Sequence, residues 1–470
     1  MLDNGLESNS KIRFSFLEFE NFGCIKNASF SMSDSGKSDK SDIMGIFGQN
    51  GSGKSTIVRI FAFLRLLLCG AGIEDAGRYV KIGENSASIH ADFEIYGADT
   101  PKKISYYIRI KKAIDKWSIS EEKIILIGSD ASNGKKSFVY NPSDAINIIS
   151  PRNVKNELSA FIDKNSNLYE GVTSQIFFLV QKENCYFYNT SYIFNQKFLD
   201  LYESYCASSE ESIFDYILLM NDYARNYLFV VTDNFLNEQF VAQKALPVIL
   251  PNQRVSKHGE MSYFSLKFEG PTLAREASDG DFLAFIERLN VLLSAMCPNV
   301  KLGAKKSSSP SYDNRTYYDV FTIRNGCEIP LVYESLGIKK IISMMNIMLM
   351  AYGNSSVLFV IDEFDCSIHE LVIETFFKVF TQKKGGGGQI VFTSNNLHPL
   401  ELLDKNQCCF AIASEKNAIT HLKYVKPNNN LRSLYMSLIK NGGDDKNPDL
   451  FDPISPEKMQ NVFDECFREA

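Results

Sequence analysis

Gly48-Gln49-Asn50-Gly51-Ser52-Gly53-Lys54-Ser55 is the most informative segment of the chain. The apolar run Ile43-Met44-Gly45-Ile46-Phe47 precedes it and Thr56-Ile57-Val58-Arg59-Ile60-Phe61-Ala62-Phe63-Leu64 follows at once. The order is therefore strand, tight glycine turn, helix, which a phosphate-binding loop requires and a glycine-rich turn that binds nothing does not. Glycines at 48, 51 and 53 let the backbone wrap a polyphosphate with its N–H groups inward, and the new helix offers its positive end to the same anion. On this reading Gly48 to Thr56 bind a nucleoside triphosphate. Lys54 reaches the β- and γ-phosphates, Ser55 places its hydroxyl on Mg²⁺, and Thr56 touches the α-phosphate.

The totals bound what surrounds this loop. With 470 residues, 44% of them hydrophobic, the chain can bury one large core or two to three smaller ones. A net charge of −6 and a pI near 5.6 argue against a wholly basic nucleic-acid binder, although a local basic groove stays open. Ten cysteines are scattered without a C-x-x-C pair and without His at ligand spacing. That usage predicts reduced thiols in a cytosolic protein rather than disulfides or zinc. Met1 to Ser10 lack the features of a secretory signal, and the most apolar helix, 57–69, carries Arg59 and Arg65 and is too short to span a bilayer, so no membrane segment is expected.

Taken in order, residues 12–20 alternate apolar and polar, as a strand with one buried face does, and a second strand follows over 27–32. Residues 34–42 read as a surface loop. After the phosphate loop and its helix, period two returns over 87–96, 103–110, 117–121 and 123–127, with turn-forming segments at 97–101, 111–115 and 128–134. Residues 1–150 thus read as the first half of the nucleotide fold carrying an antiparallel β subdomain. Lys102, Lys103, Lys111, Lys112 and Lys116 read as its solvated rim.

Residues 151–280 read as a helical insertion, with helical spacing in 212–219 and 223–231 and aromatics at Tyr186, Phe187, Tyr188, Tyr192, Phe194, Phe198 and Tyr202. These aromatics suit a core or a partner surface, and core is the safer expectation. A strand over 261–268, an amphipathic helix over 282–296 and a strand over 317–323 lead into the second half of the fold, 281–470.

In that half, Ser356-Val357-Leu358-Phe359-Val360-Ile361 is a continuous apolar run, as expected of a parallel strand buried on both faces, and it ends in Asp362-Glu363. Asp362 is placed to support Mg²⁺ and Glu363 to polarise the attacking water. A helix N-cap with an acidic first turn is the competing account of the same pair. Upstream, Ser335-Leu336-Gly337 opens the apolar helix 341–350, a pattern that serves an anion site or an ordinary N-cap. Downstream, Gln389-Ile390-Val391-Phe392-Thr393 is one more buried strand, followed by Ser394-Asn395-Asn396-Leu397-His398. His90, His258 and His421 lack partner spacing and read as structural.

Phosphate loop, Ser-x-Gly helix start and Asp-Glu strand end, in that order around a long insertion, resemble the ABC-type ATPase heads of the SMC/OLD class. They are more similar still to stand-alone bacterial ATP-binding proteins of the RloA and abortive-infection kind. The start Leu17-Glu18-Phe19-Glu20-Asn21-Phe22, the loop 48–55, Glu334-Ser335-Leu336-Gly337-Ile338-Lys339-Lys340 and Ile361-Asp362-Glu363-Phe364-Asp365-Cys366-Ser367-Ile368-His369 carry the likeness. The size also resembles the ATPase subunits of two-gene phage-defence systems such as PARIS and Septu. The fold so implied is an α/β P-loop NTPase with a mixed sheet, an antiparallel β subdomain and a helical insertion.

The resemblance implies ATP and Mg²⁺ sandwiched in a head-to-tail dimer. Ser335 and Gly337 of one subunit then touch the γ-phosphate held by the other, and Asp365 to His369 lie at the seam. It also implies a separately encoded effector, a TOPRIM or HNH nuclease, with a phage protein as trigger. Where such heads carry a His after the third strand, this chain has Asn395, which can donate a hydrogen bond to the γ-phosphate but carries no proton, so turnover is expected to be slow. His398 substitutes only if the loop bends back. Gln181 is the first candidate for the glutamine that senses Mg²⁺, and Gln175 the second. A rival reading is an SMC-like DNA-maintenance ATPase that clamps a duplex, drawing on Lys301, Lys305 and Lys306. A scaffold that never hydrolyses its nucleotide is a third.

Overall fold

The computed structural model describes residues 11–32, 42–72, 76–97, 101–113, 116–128, 135–142, 148–165, 171–206, 212–232, 245–249, 263–267, 272–273, 279–307, 316–383, 386–412, 417–422, 430–441 and 456–469. Most of the expected loop 34–42, parts of the turns at 97–101, 111–115 and 128–134, the ends of the strand 261–268, and His258 lie outside the described residues.

The runs with no polar alternation become the middle of the protein, because a strand covered on both faces needs apolar side chains on both. Leu228–Val231, Leu358–Ile361, Gln389–Ser394, Asp42–Phe47 and Cys408–Ala411 lie side by side, all parallel, and Ile419–Thr420 closes one edge antiparallel. The alternating runs instead pair as a seven-stranded antiparallel sheet that begins Ile25–Ser31, Lys11–Phe22, Ser86–Tyr96, Lys102–Ala113 and Lys116–Ile127.

Between these sheets runs the helix Lys54–Leu68. Ile57, Val58, Phe61, Phe63, Leu64, Leu67 and Leu68 are fully buried, each contributing about 1.5–3 kcal/mol relative to exposure. The helix, and the loop that opens it, are therefore held by the core. Arg13 bolts the sheets together by bonding Asp42 (2.5 Å) and Gly387 O (2.9 Å), and the Gln389 amide pairs both ways with the backbone of Phe14 at 2.8 Å.

Two elements differ from the sequence expectation. The strands expected over 117–121 and 123–127 are one strand, Lys116–Ile127. Arg109 faces Glu121 and Ile110 faces Ile119, so Ser120 is the extra residue of a bulge, and a bulge shifts the phase of the alternation. The helix expected over 223–231 stops earlier. Ser212 and Asp215 form the capping box of Ile213–Asn226, and Leu228–Val231 is drawn off as a strand beside Leu358–Ile361.

Helices Arg152–Lys164, Ser174–Tyr188, Gln196–Cys206 and Ile213–Asn226 share one core with the antiparallel sheet. Glu122, on the sheet's inner face, accepts from Tyr106 Oη (2.7 Å), Ser191 Oγ (2.5 Å), Tyr192 N (2.8 Å) and Ile193 N (3.1 Å). Tyr192, Phe194, Phe198 and Tyr202 are core, whereas Tyr186, Phe187 and Tyr188 are exposed. A separate core joins Asp279–Met296 and the strands Lys301–Lys306 and Tyr317–Arg324 to the helix Leu336–Gly353. Among the described residues no helix is long and apolar enough to cross a membrane, and all ten cysteines are free.

Candidate functional site

Parallel register brings three strand ends to one edge of the central sheet. Ile46 pairs with Thr393, Phe47 with Ser394, and Ile361 with Phe392. Gly48, Asp362 and Asn395 therefore leave adjacent strands on the same side, the carboxyl-terminal edge where open α/β sheets bind ligands.

On the loop side, Gly53 (φ 97°) starts the helix in a left-handed conformation, and a side chain there would also meet Ile25 Cδ1 at 2.7 Å. Among the described residues the N–H groups of Gly51, Gly53, Lys54 and Ser55 have no backbone acceptor. Ser52 Oγ is buried without a partner, and the first helical turn holds no acid. Lys54 Nζ meanwhile bonds the loop carbonyls of Gly48 (2.8 Å) and Gln49 (3.1 Å). Unsatisfied donors converging at a helix N-terminus fit a phosphate chain. The Thr56 hydroxyl lies 3.8 Å from Cys24 Sγ, beside the turn that joins the first two strands.

On the acid side, Asp362 is 2% exposed and accepts from Thr393 Oγ1 at 2.5 Å. The same hydroxyl accepts from Glu363 N at 2.8 Å. Glu363 has φ 47°, a conformation disfavoured for a side-chain-bearing residue, and it is clamped from both ends by Thr393 and by Lys340 Nζ on the Glu363 carbonyl. Asn395 Nδ2 donates to Glu363 Oε1 at 3.0 Å, so this asparagine orients the carboxylate that the resemblance makes the base. Burial pulls the Lys54 ammonium below its usual range, and Glu363, Asp362 and Asp365 raise it again. Lys54 and the acid pair thus feel one another's charge. Burial likewise pushes the Asp365 carboxyl up.

Thr393 and Lys340 are site residues that the sequence alone does not single out. A hydroxyl at the end of an apolar strand and a lysine one turn into a helix are the only signals they leave. Glu334 sets the Ser-x-Gly turn by accepting from Thr322 Oγ1, Arg324 and Ser335 N. Ser335 caps the helix Leu336–Gly353 and is exposed. A side chain at Gly337 would stand 2.0 Å from Ser367 O, so glycine is needed for the close approach of the loop after Glu363. Neither residue bonds the phosphate loop of its own chain among the described contacts.

Gln181 and Gln175 belong to Ser174–Tyr188, whose end, Tyr188, lies against Gly72 beyond the far end of the phosphate-loop helix, and neither glutamine is bonded to the phosphate loop or to the acid pair among the described residues. Gln181 is buried with Oε1 unpaired. The strand that does end beside Asp362 is Leu228–Val231, whose Val231 O accepts from Asp362 N at 2.8 Å. His398 does not bend back: Nδ1 pairs with Glu370 at 2.7 Å. Lys305 is paired with Glu328 on the surface.

Residues 17–239 match the family model described as an AAA domain. No curated protein matches the chain. Among solved structures, an SmcHead bound to the C-winged helix domain of ScpA is 9% identical, with 87% of this chain and 98% of that chain covered at a TM-score of 0.43. The SMC head domain from Thermotoga maritima is 12% identical, covering 87% and 99% at 0.34. The recombination mediator protein RecF with ATP is 12% identical, covering 88% and 100% at 0.34. On its own topology and loop geometry, the chain carries a P-loop ATPase fold with a mixed central sheet and an antiparallel sheet beside it.

Proposed function

We propose that the chain binds ATP with Mg²⁺ and hydrolyses it, as the nucleotide-controlled, cytoplasmic subunit of a homo-oligomer that restrains a separately encoded nuclease until a phage protein triggers it. The observation that carries the nucleotide reading is the meeting of unpaired loop donors and Lys54 with Asp362 and Glu363 at one sheet edge. Residues 48–56 hold the phosphates, and Ser55 and Asp362 hold the magnesium. The metal supplies neutralisation of phosphate charge when bound. Glu363 accepts the proton of the attacking water while Asn395 keeps its carboxylate turned one way. Thr393 locks both acids to the neighbouring strand.

The head-to-tail pairing is supported by Ser335 at a helix N-terminus, exposed together with Tyr333 and Leu336 and unused by its own chain's phosphate loop. The defence role is supported by the motif likeness, and the cytoplasmic placement by ten free thiols.

Lys54→Ala should abolish ATP binding measured by calorimetry with Mg²⁺. Glu363→Gln should keep affinity within a few-fold and slow phosphate release by about 10²–10⁴. Unchanged release in Glu363→Gln removes Glu363 from the role, and a wild-type chain without affinity for ATP removes the reading. ATP-stimulated, salt-dependent binding to duplex DNA would move it to DNA maintenance.

A further inference from the structure

The helix Ser174–Tyr188 is apolar on two sides. Phe177, Phe178 and Cys185 pack into the core. Ile176, Leu179, Val180 and Phe187 lie on the opposite side at helical spacing, 47–70% exposed, with the exposed Glu183 on the same face between Val180 and Phe187. Clustered exposed apolar side chains such as Ile176, Leu179 and Val180 mark an interaction site where single exposed apolar residues do not.

Its border is basic in a chain whose net charge is −6. Lys111, Lys112 and Lys182 line a cavity of about 510 Å³ with Glu183 and Tyr186. Lys116 caps the helix by donating to the carbonyls of Tyr186 and Phe187, both at 2.7 Å.

A complementary element exists in the same chain. In the helix Pro456–Glu469, Met459, Val462, Phe463 and Cys466 fall at i, i+3, i+4 and i+7, and every described side chain is exposed. Its sequence holds four acids, Glu457, Asp464, Glu465 and Glu469, against Lys458 and Arg468. Within one chain the two stripes do not cover each other, since both are exposed.

We propose that the C-terminal helix of a second copy docks on this stripe, with its acids toward the lysine border. Reciprocal exchange between two copies gives a closed, two-fold arrangement. This contact is separate from the nucleotide edge and does not depend on ATP.

The test is sedimentation of the full chain without nucleotide. The wild type self-associates, Lys54→Ala associates equally, and Phe463→Asp or Leu179→Asp weakens association at least tenfold with the circular dichroism spectrum unchanged. Lys182→Glu weakens it, and adding Asp464→Lys with Glu465→Lys restores it. Under mild oxidation Leu179→Cys links to the native Cys466 of another copy, giving a dimer band that Cys466→Ser removes. A nucleotide-free monomer at tens of micromolar, association that requires ATP, dimerisation indifferent to Phe463→Asp, or a crosslink closed within one chain overturns the proposal.

Discussion

Glu122 and Glu363 show two uses of the same side chain. Glu122 is fully buried and its two oxygens take four donors, one of them from the sheet and three from residues 191–193. Burial pushes its carboxyl up, against the pull of those bonds. Glu363 is half-buried, sits on a strained backbone and has one side-chain donor, Asn395, while loop N–H groups nearby have no acceptor. Where donors and acceptors balance, the chain has built a joint between sheet and helices. Where an excess of donors faces a group of acids, the balance is left for a ligand to complete.

Substitutions can break this contrast. Glu122→Ala strands four donors in the core and should cost about 3–5 kcal/mol in urea unfolding, with ATP affinity per folded molecule unchanged. A cost like that of a surface residue would mean that the joint is not what ties the helices to the sheet. Thr393→Val keeps the shape but removes the donor to Asp362 and the acceptor for Glu363 N. It should cost about 1–3 kcal/mol and slow phosphate release more than it weakens ATP binding. Equal losses in both would assign Thr393 to binding alone.

The smallest effect belongs to a polar cluster that is satisfied but near solvent. Asp92 meets Lys103 (2.6 Å), Ser105 (2.7 Å) and His90 (3.0 Å). Burial, which alone would raise it, is outweighed by bonds from His90, Lys103 and Ser105, and its carboxyl titrates at about 2. A depressed carboxylate stabilises the fold above its ordinary value near 3.8 and loses that contribution as pH falls toward 2. Asp92→Asn should flatten the acid limb of a stability curve measured between pH 5 and 2. A curve of unchanged slope would show the cluster to be idle.

Local signals were legible because their physics is local. A glycine spacing that permits one loop conformation, an apolar run too continuous for a half-exposed strand and an acid pair at its end each need only neighbouring residues to be read. Thus 48–55, 356–363 and 389–393 were recognisable as elements before any packing was known. The bulge at Ser120 and the strand Leu228–Val231 were not. The first is a mismatch between partners on different strands, and the second is a competition between helical spacing and a neighbouring strand that lies more than a hundred residues away.

The amino-acid order by itself determined that a phosphate loop, its helix and two buried strands would exist, since backbone permissiveness and hydrophobic period are properties of a short segment. Tertiary structure decided which side chains attend them. Thr393 on Asp362, Lys340 and Asn395 on Glu363, the clearance at Gly337, the burial of Gln181, and the exposure of Phe187 while Tyr192 is buried all come from contacts between distant segments. Only folding sets those distances, and hydrogen bonds and charges act only once the groups are within a few ångströms.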